Sequence, residues 1–474
     1  MNYFSTDDVL YQSQIGKRYK AKHMSKIWNS CNRTIIMRKL WIALARSSKE
    51  LGINCITDEG IVEMELATEN IDFHKIDEYE KMTKHDIMAH IMAFSDLCPN
   101  AKKFIHLGAT SCYITDNADL IQIKKSITFL LQFLLVIIRS FEIFIEKYKL
   151  QPTLAYTHLQ AAQLTTVGKR ATLWLNDLLV DYNSLKNYSE KLLFRGAKGT
   201  TGSEDSFMTL FDGSNEKCEL LNQKICNEFG FKQTVLVCGQ TYSRKNDVRL
   251  FNILSDISQT FYKICNDIRL LASKGELGEP FSENQVGSSA MVYKQNPIKC
   301  EKICSLSRYI INQQISMTHT YINQWCERTL DDSAIRRIII PDSFMLLEHI
   351  CDEFKTIING LRVFVPIINK HVEEHMPFIM TEQLLMMGTK QGLDRQELHE
   401  ILRQITTHIS NENNQIKPLS IQMILENMII SLTEETKIKQ IYQLYKSLST
   451  NPLDYIGNIE TQIDNLLQYS QNIC

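Results

Sequence analysis

The sequence predicts an all-α fold, and three observations lead there. Glycine (18) and proline (9) are scarce among 474 residues, so long helices can run without breaks. Several long segments place apolar residues at helical spacing, and alternating strand patterns are rare. The length allows two to four domains and a large core. A composition of 44% hydrophobic and 22% charged residues is that of an ordinary globular chain.

Taken in order, residues 1–111 read as a smaller N-terminal helical domain. A helix follows from about Thr115 to Tyr148, with Thr115 and Asp116 as capping and first-turn signals. Its stretch Ile127–Ile138 is broken only by Thr128 and Gln132. That is short of the roughly 20 residues of a membrane span, and a helix apolar on all sides belongs among other helices. A second helix covers roughly Val167–Phe194. A third covers Tyr242–Lys274, with Val248, Phe251, Leu254, Ile257 and Phe261 on one face. A fourth starts near Pro297, a residue suited to a first helical position, and runs to about Trp325. Helices this long need partners along their length, so 112–364 reads as a central bundle. The all-round apolar segment hints that bundles of several subunits pack together. Residues 365–474 read as a C-terminal helical domain with polar breaks such as Ser410–Pro418, and the chain shows no internal repeat or long linker.

Composition also narrows function. With 52 basic and 54 acidic residues the formal charge is −2, which argues against a general nucleic-acid binder but leaves room for a small cationic pocket. The 13 cysteines have no framework spacing, and Met1–Leu10 lacks the apolar core of a signal peptide. Both point to reduced thiols in a cytoplasmic protein.

Five segments can carry chemistry. Phe281–Pro297 is an irregular loop in which Ser288, Ser289, Lys294 and Asn296 offer hydroxyls, a cation and an amide; taken alone, a merely polar interhelical connection is the better reading. Thr157-His158-Leu159-Gln160, read as lying just before a helix, holds a histidine able to protonate a leaving group, although a lone loop histidine is more often structural. His106–Ser111 precedes the long helix, where small residues and hydroxyls suit an anion or simply a cap and turn. In Glu327–Arg337, Arg328, Ser333 and Arg337 match a phosphate or carboxylate, or form a solvated charged turn. Lys198–Gly202 lacks the Gly-Lys-Ser/Thr ending of a P-loop. His371-Val-Glu-Glu-His375 fits a His-x-x-Glu-His zinc pattern, but Pro377 follows closely and no third ligand is evident, so a chance match is the better reading.

Together these pieces resemble one family. Gly287-Ser-Ser-Ala-Met-Val-Tyr-Lys-Gln-Asn-Pro297 is similar to the G-S-S-x-M-P-x-K-x-N-P signature loop of the fumarase/aspartase superfamily. Ala290 and Tyr293 within it resemble the adenylosuccinate lyase family, animal-type branch. So do Lys84–His90, His106–Tyr113, Thr157–Arg170, Arg195–Gly202, Gly239–Lys245, Glu327–Arg337 and the pair Arg18-Tyr19. The likeness spans about residues 17–400 in matching order.

The resemblance implies three helical domains, with central bundles forming a homotetramer core and active sites shared between subunits. It implies elimination of fumarate from adenylosuccinate and from succinyl-aminoimidazole-carboxamide ribotide, with no metal or organic cofactor and no nucleic-acid or membrane partner. It makes Ser288 the catalytic base and His158 the general acid. Lys294 and Asn296 would bind the substrate carboxylate and stabilise the intermediate. Thr110, Ser111, Thr157 and Gln240 would hold the succinyl region. His85 and Asp86 would contact the nucleotide, with His85 supporting His158, while Arg18, Tyr19, Arg328, Ser333 and Arg337 would hold phosphate and ribose.

The chain departs from the family at several points. Val292 replaces the loop proline, Gln295 an arginine, Ala161 a proline, Lys302 an arginine, Ile335 an asparagine and Gln383 an asparagine. None removes a proposed catalytic group; they bear on rate, affinity and the balance between substrates. Two other readings are an argininosuccinate-type lyase and a catalytically weak helical scaffold. The His85-Asp86 pair and the Arg328–Arg337 block disfavour the first, and the presence of Ser288, Lys294, Asn296 and His158 disfavours the second.

Overall fold

The computed structural model describes residues 12–412 and 435–473. Met1–Leu10, and residues 413–418 of the predicted polar break, lie outside them. The protein is 68% helical, and the all-α expectation holds. The main helices are α1 (Ser30–Glu50), α2 (Asp58–Leu66), α3 (Phe73–Thr83), α4 (Asp86–Leu97), α5 (Ser111–Lys147), α6 (Val167–Glu190), α7 (Asn215–Glu228), α8 (Lys245–Ser273), α9 (Ile298–Ile322), α10 (Asp331–Gly360), α11 (Val365–Lys390), α12 (Arg395–Glu412), α13 (Glu435–Ser447) and α14 (Ile459–Ile473). Two small antiparallel ribbons accompany them: β1 (Pro152–Thr157) with β2 (Gln160–Thr166), and β3 (Leu277–Gly278) with β4 (Arg362–Val363).

The chain divides into two compact units. The first comprises Met1–Ile137, Leu178–Cys265 and Ile298–Lys355; the second comprises Ile138–Asp177, Asn266–Pro297 and Thr356–Cys474.

Within the first unit, α1 buries Leu40, Trp41 and Leu44, and the Trp41 ring stacks on Phe94 of α4. Phe261 and Phe354 meet at 4.8 Å between α8 and α10. A charged network also runs through this core. Arg244 pairs with Asp116 (3.0 Å) and Asp332 (2.6 Å). Arg336 pairs with Asp119 (3.0 Å) and Asp247 (2.8 Å) and donates to the Tyr242 hydroxyl (2.6 Å), and Tyr242 donates in turn to Asp247 (2.6 Å). Buried charges of this kind persist only when each is paired and hydrogen-bonded. In the second unit, α11 packs on the β1–β2 hairpin, α12 and α13.

Three expectations need correction. The long helix starts at Ser111 rather than Thr115, and Asp116 is spent on Arg244 instead of a cap. The helix α6 stops at Glu190, and Phe194 makes a parallel bridge to Thr234. The segment around His158 is a β-hairpin turn, where a loop leading into a helix was expected. By length and composition α5 is able to cross a bilayer. Its Ile127, Leu130, Leu134 and Ile137 are fully buried, while Val136 and Ile143 of the same helix are exposed.

Candidate active site

In the first unit, predicted residues gather at helix starts. Lys84 takes a left-handed conformation (φ 55°) that ends α3, and the chain turns directly into α4. His85 caps α4: its Nδ1 accepts the Met88 N–H at 3.2 Å. That bond leaves the proton of a neutral His85 ring on Nε2, the nitrogen not used by the cap. Asp86 accepts from Arg337 at 2.7 Å, and both side chains reach solvent.

The start of α5 forms a second group. Thr110 is buried and its Oγ1 accepts from Gln240 Nε2 at 3.0 Å; Gln240 Oε1 accepts from Arg328 Nη1 at 3.3 Å. Arg328 also contacts the Cys112 thiol, which burial pushes up in pKa. Gln240 sits this close because residue 239 is glycine. A Cβ there would lie 2.4 Å from the Glu327 carbonyl oxygen, the atom that accepts the Gln240 N–H (3.0 Å). Buried Arg195 donates to the Gln240 carbonyl (2.9 Å) and to those of Gly196 and Gly199. Ser111 is the first residue of α5, where backbone N–H groups lack helical partners, and Ser333 lies in the first turn of α10. Arg18 is exposed behind the short helix Gln14–Lys17, and Tyr19 packs against the His349 ring at 5.5 Å.

In the second unit, His158 and Leu159 are the two turn residues of the β1–β2 hairpin, with φ of 51° and 60°. Two-residue hairpins of this hand favour Asn-Gly, and a side chain at each position costs on the order of 1–3 kcal/mol. The pairing shifts register between Leu154 and Tyr156, which re-aims the end of the hairpin. Thr157 and His158 are both exposed.

The loop 281–297 is pinched at its neck. A Cβ on Gly287 would sit 1.9 Å from the Lys294 carbonyl oxygen, so only glycine fits there. Asn296 Nδ2 donates to the Gly287 carbonyl at 3.1 Å. Ser288 Oγ accepts the N–H groups of Ala290 (3.3 Å) and Met291 (3.1 Å). Lys294 is exposed, Gln295 accepts from Arg362 (2.9 Å), and Val292 is 99% exposed. A cavity of about 130 Å³ lies at the base of the loop, lined by Pro280, Gln295, Asn296 and Arg362 among others.

The structure therefore joins Thr110, Gln240 and Arg328 in one group, Asp86 and Arg337 in another, and Ser288, Lys294 and Asn296 in one loop. Sequence reasoning missed Arg195, Arg244 and Arg336, which support these groups from the core. No periodicity marks them: Arg244 and Arg336 stand beside exposed Lys245 and Arg337, and Arg195 stands between Phe194 and Gly196. It also missed the His106 ring, whose Nδ1 accepts from Trp41 Nε1 at 2.9 Å and whose pKa burial pushes down to about 4. The two histidines of the zinc-like pattern have protein partners: His371 Nδ1 meets Glu276 at 3.0 Å, and His375 Nδ1 meets the His371 carbonyl at 3.0 Å. The helix α11 runs on through Pro377.

Residues 18–311 match a family model described as Lyase. The chain is 38% identical over 468 residues to an adenylosuccinate lyase of Saccharomyces cerevisiae, covering 98% of this chain and 95% of that protein. It is 42% identical to one of Schistosoma mansoni (83% of this chain, 82% of the other) and 28% identical to one of Pyrococcus horikoshii (97% and 98%). Among solved structures, the 3-carboxy-cis,cis-muconate lactonizing enzyme of Pseudomonas putida superimposes with a TM-score of 0.80 at 18% identity, over 97% of this chain and all of that one. A fumarate lyase of Mesorhizobium sp. BNC1 gives 0.79 at 19% identity, over 97% and 99%. At such identities the structural matches establish the fold alone.

Proposed function

The chain belongs to the adenylosuccinate lyase family, and from that membership we infer that it eliminates fumarate from adenylosuccinate to leave AMP. It serves purine biosynthesis, and the same β-elimination applies to succinyl-aminoimidazole-carboxamide ribotide. The observation that carries the reading is the full-length relationship, 38% identity over 98% of the chain. It favours this reaction over the argininosuccinate-type alternative.

In the proposed mechanism Ser288 removes the proton from the succinyl carbon beside a carboxylate. A serine alkoxide needs donors, and the two N–H groups on Ser288 Oγ supply them. Lys294 and Asn296 hold the substrate carboxylate as charge builds on it. His158 protonates the departing purine nitrogen. Thr110, Ser111, Thr157 and Gln240 orient the succinyl unit. His85 offers its Nε2–H and Asp86 a carboxylate to the nucleotide, and Arg18, Tyr19, Arg328, Ser333 and Arg337 take phosphate and ribose. The pairing of Arg337 with Asp86 is exposed, so exchange for a phosphate costs little. Closure of the 281–297 loop excludes water.

For assembly, we propose domains of 1–111, 112–364 and 365–474 and a homotetramer whose subunits share active sites. Exposed apolar side chains on the long helices support it: Ile143 (72% exposed), Leu173 (53%), Val180 (61%) and Ile315 (59%). We place the enzyme in the cytoplasm.

The test is turnover. Purified protein mixed with adenylosuccinate is expected to release fumarate and AMP in equal amounts, followed by ultraviolet absorbance and chromatography. Folded protein that releases neither would overturn the reading in favour of a helical scaffold.

A further inference from the structure

The hairpin that carries His158 is held from behind by a buried carboxylate. Glu276, next to β3 and 1% exposed, accepts the Tyr156 O–H on Oε1 at 2.5 Å. The same oxygen meets His371 Nδ1 of α11 at 3.0 Å, and Oε2 lies 4.0 Å from Arg170 Nη1 of α6. Arg170 in turn donates to the Leu154 carbonyl in β1, and Lys274 Nζ lies 4.2 Å from the Tyr156 ring centre. The Glu276 carbonyl accepts the Phe364 N–H at 3.0 Å. One side chain thus ties β1, α6 and α11 together.

The location matters because of the strain beyond it. Tyr156 pairs with Ala161 and is the second residue before His158, just past the register shift. His158 and Leu159 both hold left-handed φ and both are exposed, so the tip of the turn does not fix the imidazole. Its direction is inherited from the strands. A slip of one residue in β1 would turn every side chain to the opposite face. Apolar residues would fill the space of Tyr156, Glu276 and Arg170 without burying charge, and a buried ionic cluster adds little stability over such packing. What the cluster supplies is a single orientation.

We propose that Glu276, acting through Tyr156, is a positioning residue for His158 in the elimination reaction. The proposal rests on His158 being the general acid. A donor displaced by a fraction of an ångström still lets substrate bind but protonates the leaving nitrogen poorly, so kcat falls while KM stays.

The experiment compares Tyr156→Phe, Glu276→Ala and Glu276→Gln with His158→Ala by steady-state kinetics on adenylosuccinate in the full-length protein. Tyr156→Phe and Glu276→Ala are expected to lower kcat by at least about ten-fold with KM within about two-fold of the parent. Glu276→Gln keeps an oxygen that accepts the Tyr156 O–H and is expected to recover kcat to within about three-fold. Should Glu276→Ala fail to fold, Tyr156→Phe decides, since it deletes one hydroxyl. Two results overturn the clamp: a Tyr156→Phe kcat within about two-fold of the parent while His158→Ala is inactive, or equal losses in Glu276→Gln and Glu276→Ala. Near-normal turnover in His158→Ala instead removes the general-acid role on which the clamp depends.

Discussion

Arg336 and Arg337 are neighbours in sequence, and their replacement by alanine is expected to produce opposite phenotypes. Arg336 is buried with Asp119 at 3.0 Å, Asp247 at 2.8 Å and the Tyr242 hydroxyl at 2.6 Å. Truncation leaves two buried carboxylates short of a cation. Arg33 still reaches Asp119 at 2.6 Å, but Asp247 keeps only the Tyr242 hydroxyl. Breaking a buried pair from one side costs about 3–5 kcal/mol. At about 2 °C per kcal/mol, thermal unfolding should start on the order of 5–10 °C lower. Arg337 is 61% exposed and pairs with the partly exposed Asp86, so its loss should leave the melting temperature nearly unchanged. It removes a proposed phosphate contact, and a charge-assisted bond of roughly 1.5–3 kcal/mol corresponds to about a ten- to hundred-fold rise in KM. Calorimetry and steady-state kinetics on both variants separate the two effects. An Arg336→Ala protein that melts with the parent would refute the assignment of that network to the core, and an unchanged KM in Arg337→Ala would refute its phosphate role.

Other predictions concern chemistry, pH and the loop. Ser288→Ala and His158→Ala should each cut turnover by at least about a hundred-fold without changing oligomeric mass, and near-normal activity in either removes that residue's role. Burial lowers His90 and His106 to about 4, so the folded protein holds both rings neutral at pH 7. Because the unfolded chain takes up these protons from about pH 6.5 downward, stability is full above that value and declines toward pH 4. Each ring contributes up to about 3 kcal/mol of that decline. Melting temperatures measured from pH 7.5 to 5 should fall accordingly, and a His106→Gln variant should show a flatter profile; a parent whose melting does not change with pH contradicts the burial argument. Gln295→Arg would face the Arg362 guanidinium that now donates to Gln295 at 2.9 Å. Limited proteolysis within 282–295 should speed up in that variant, and an unchanged cleavage rate would show that the contact does not hold the loop.

The sequence by itself determined the helical class, the approximate extents of the long helices and the family. Apolar residues recurring at helical spacing in α8 state which face is inside, because burial and helical period impose the same pattern. The signature loop and its flanking motifs were legible because their chemistry requires particular residue types. Other features came only from the tertiary structure. The β1–β2 hairpin turns on His158-Leu159, which has neither the asparagine nor the glycine that marks such turns; both left-handed residues are exposed, and it is the strands that pack on α11. Thr115 and Asp116 looked like a cap until Asp116 met Arg244, 128 residues away. Arg336 and Arg337 differ in role because successive helix positions point about 100° apart, and only the arrangement of α5 and α8 around α10 decides which of them faces Asp119 and Asp247. Glu276, Tyr156 and His371 likewise come from three distant segments. Local pattern specifies which residues share a helix face; the pairing of polar groups across the core depends on long-range packing, to which no local pattern refers.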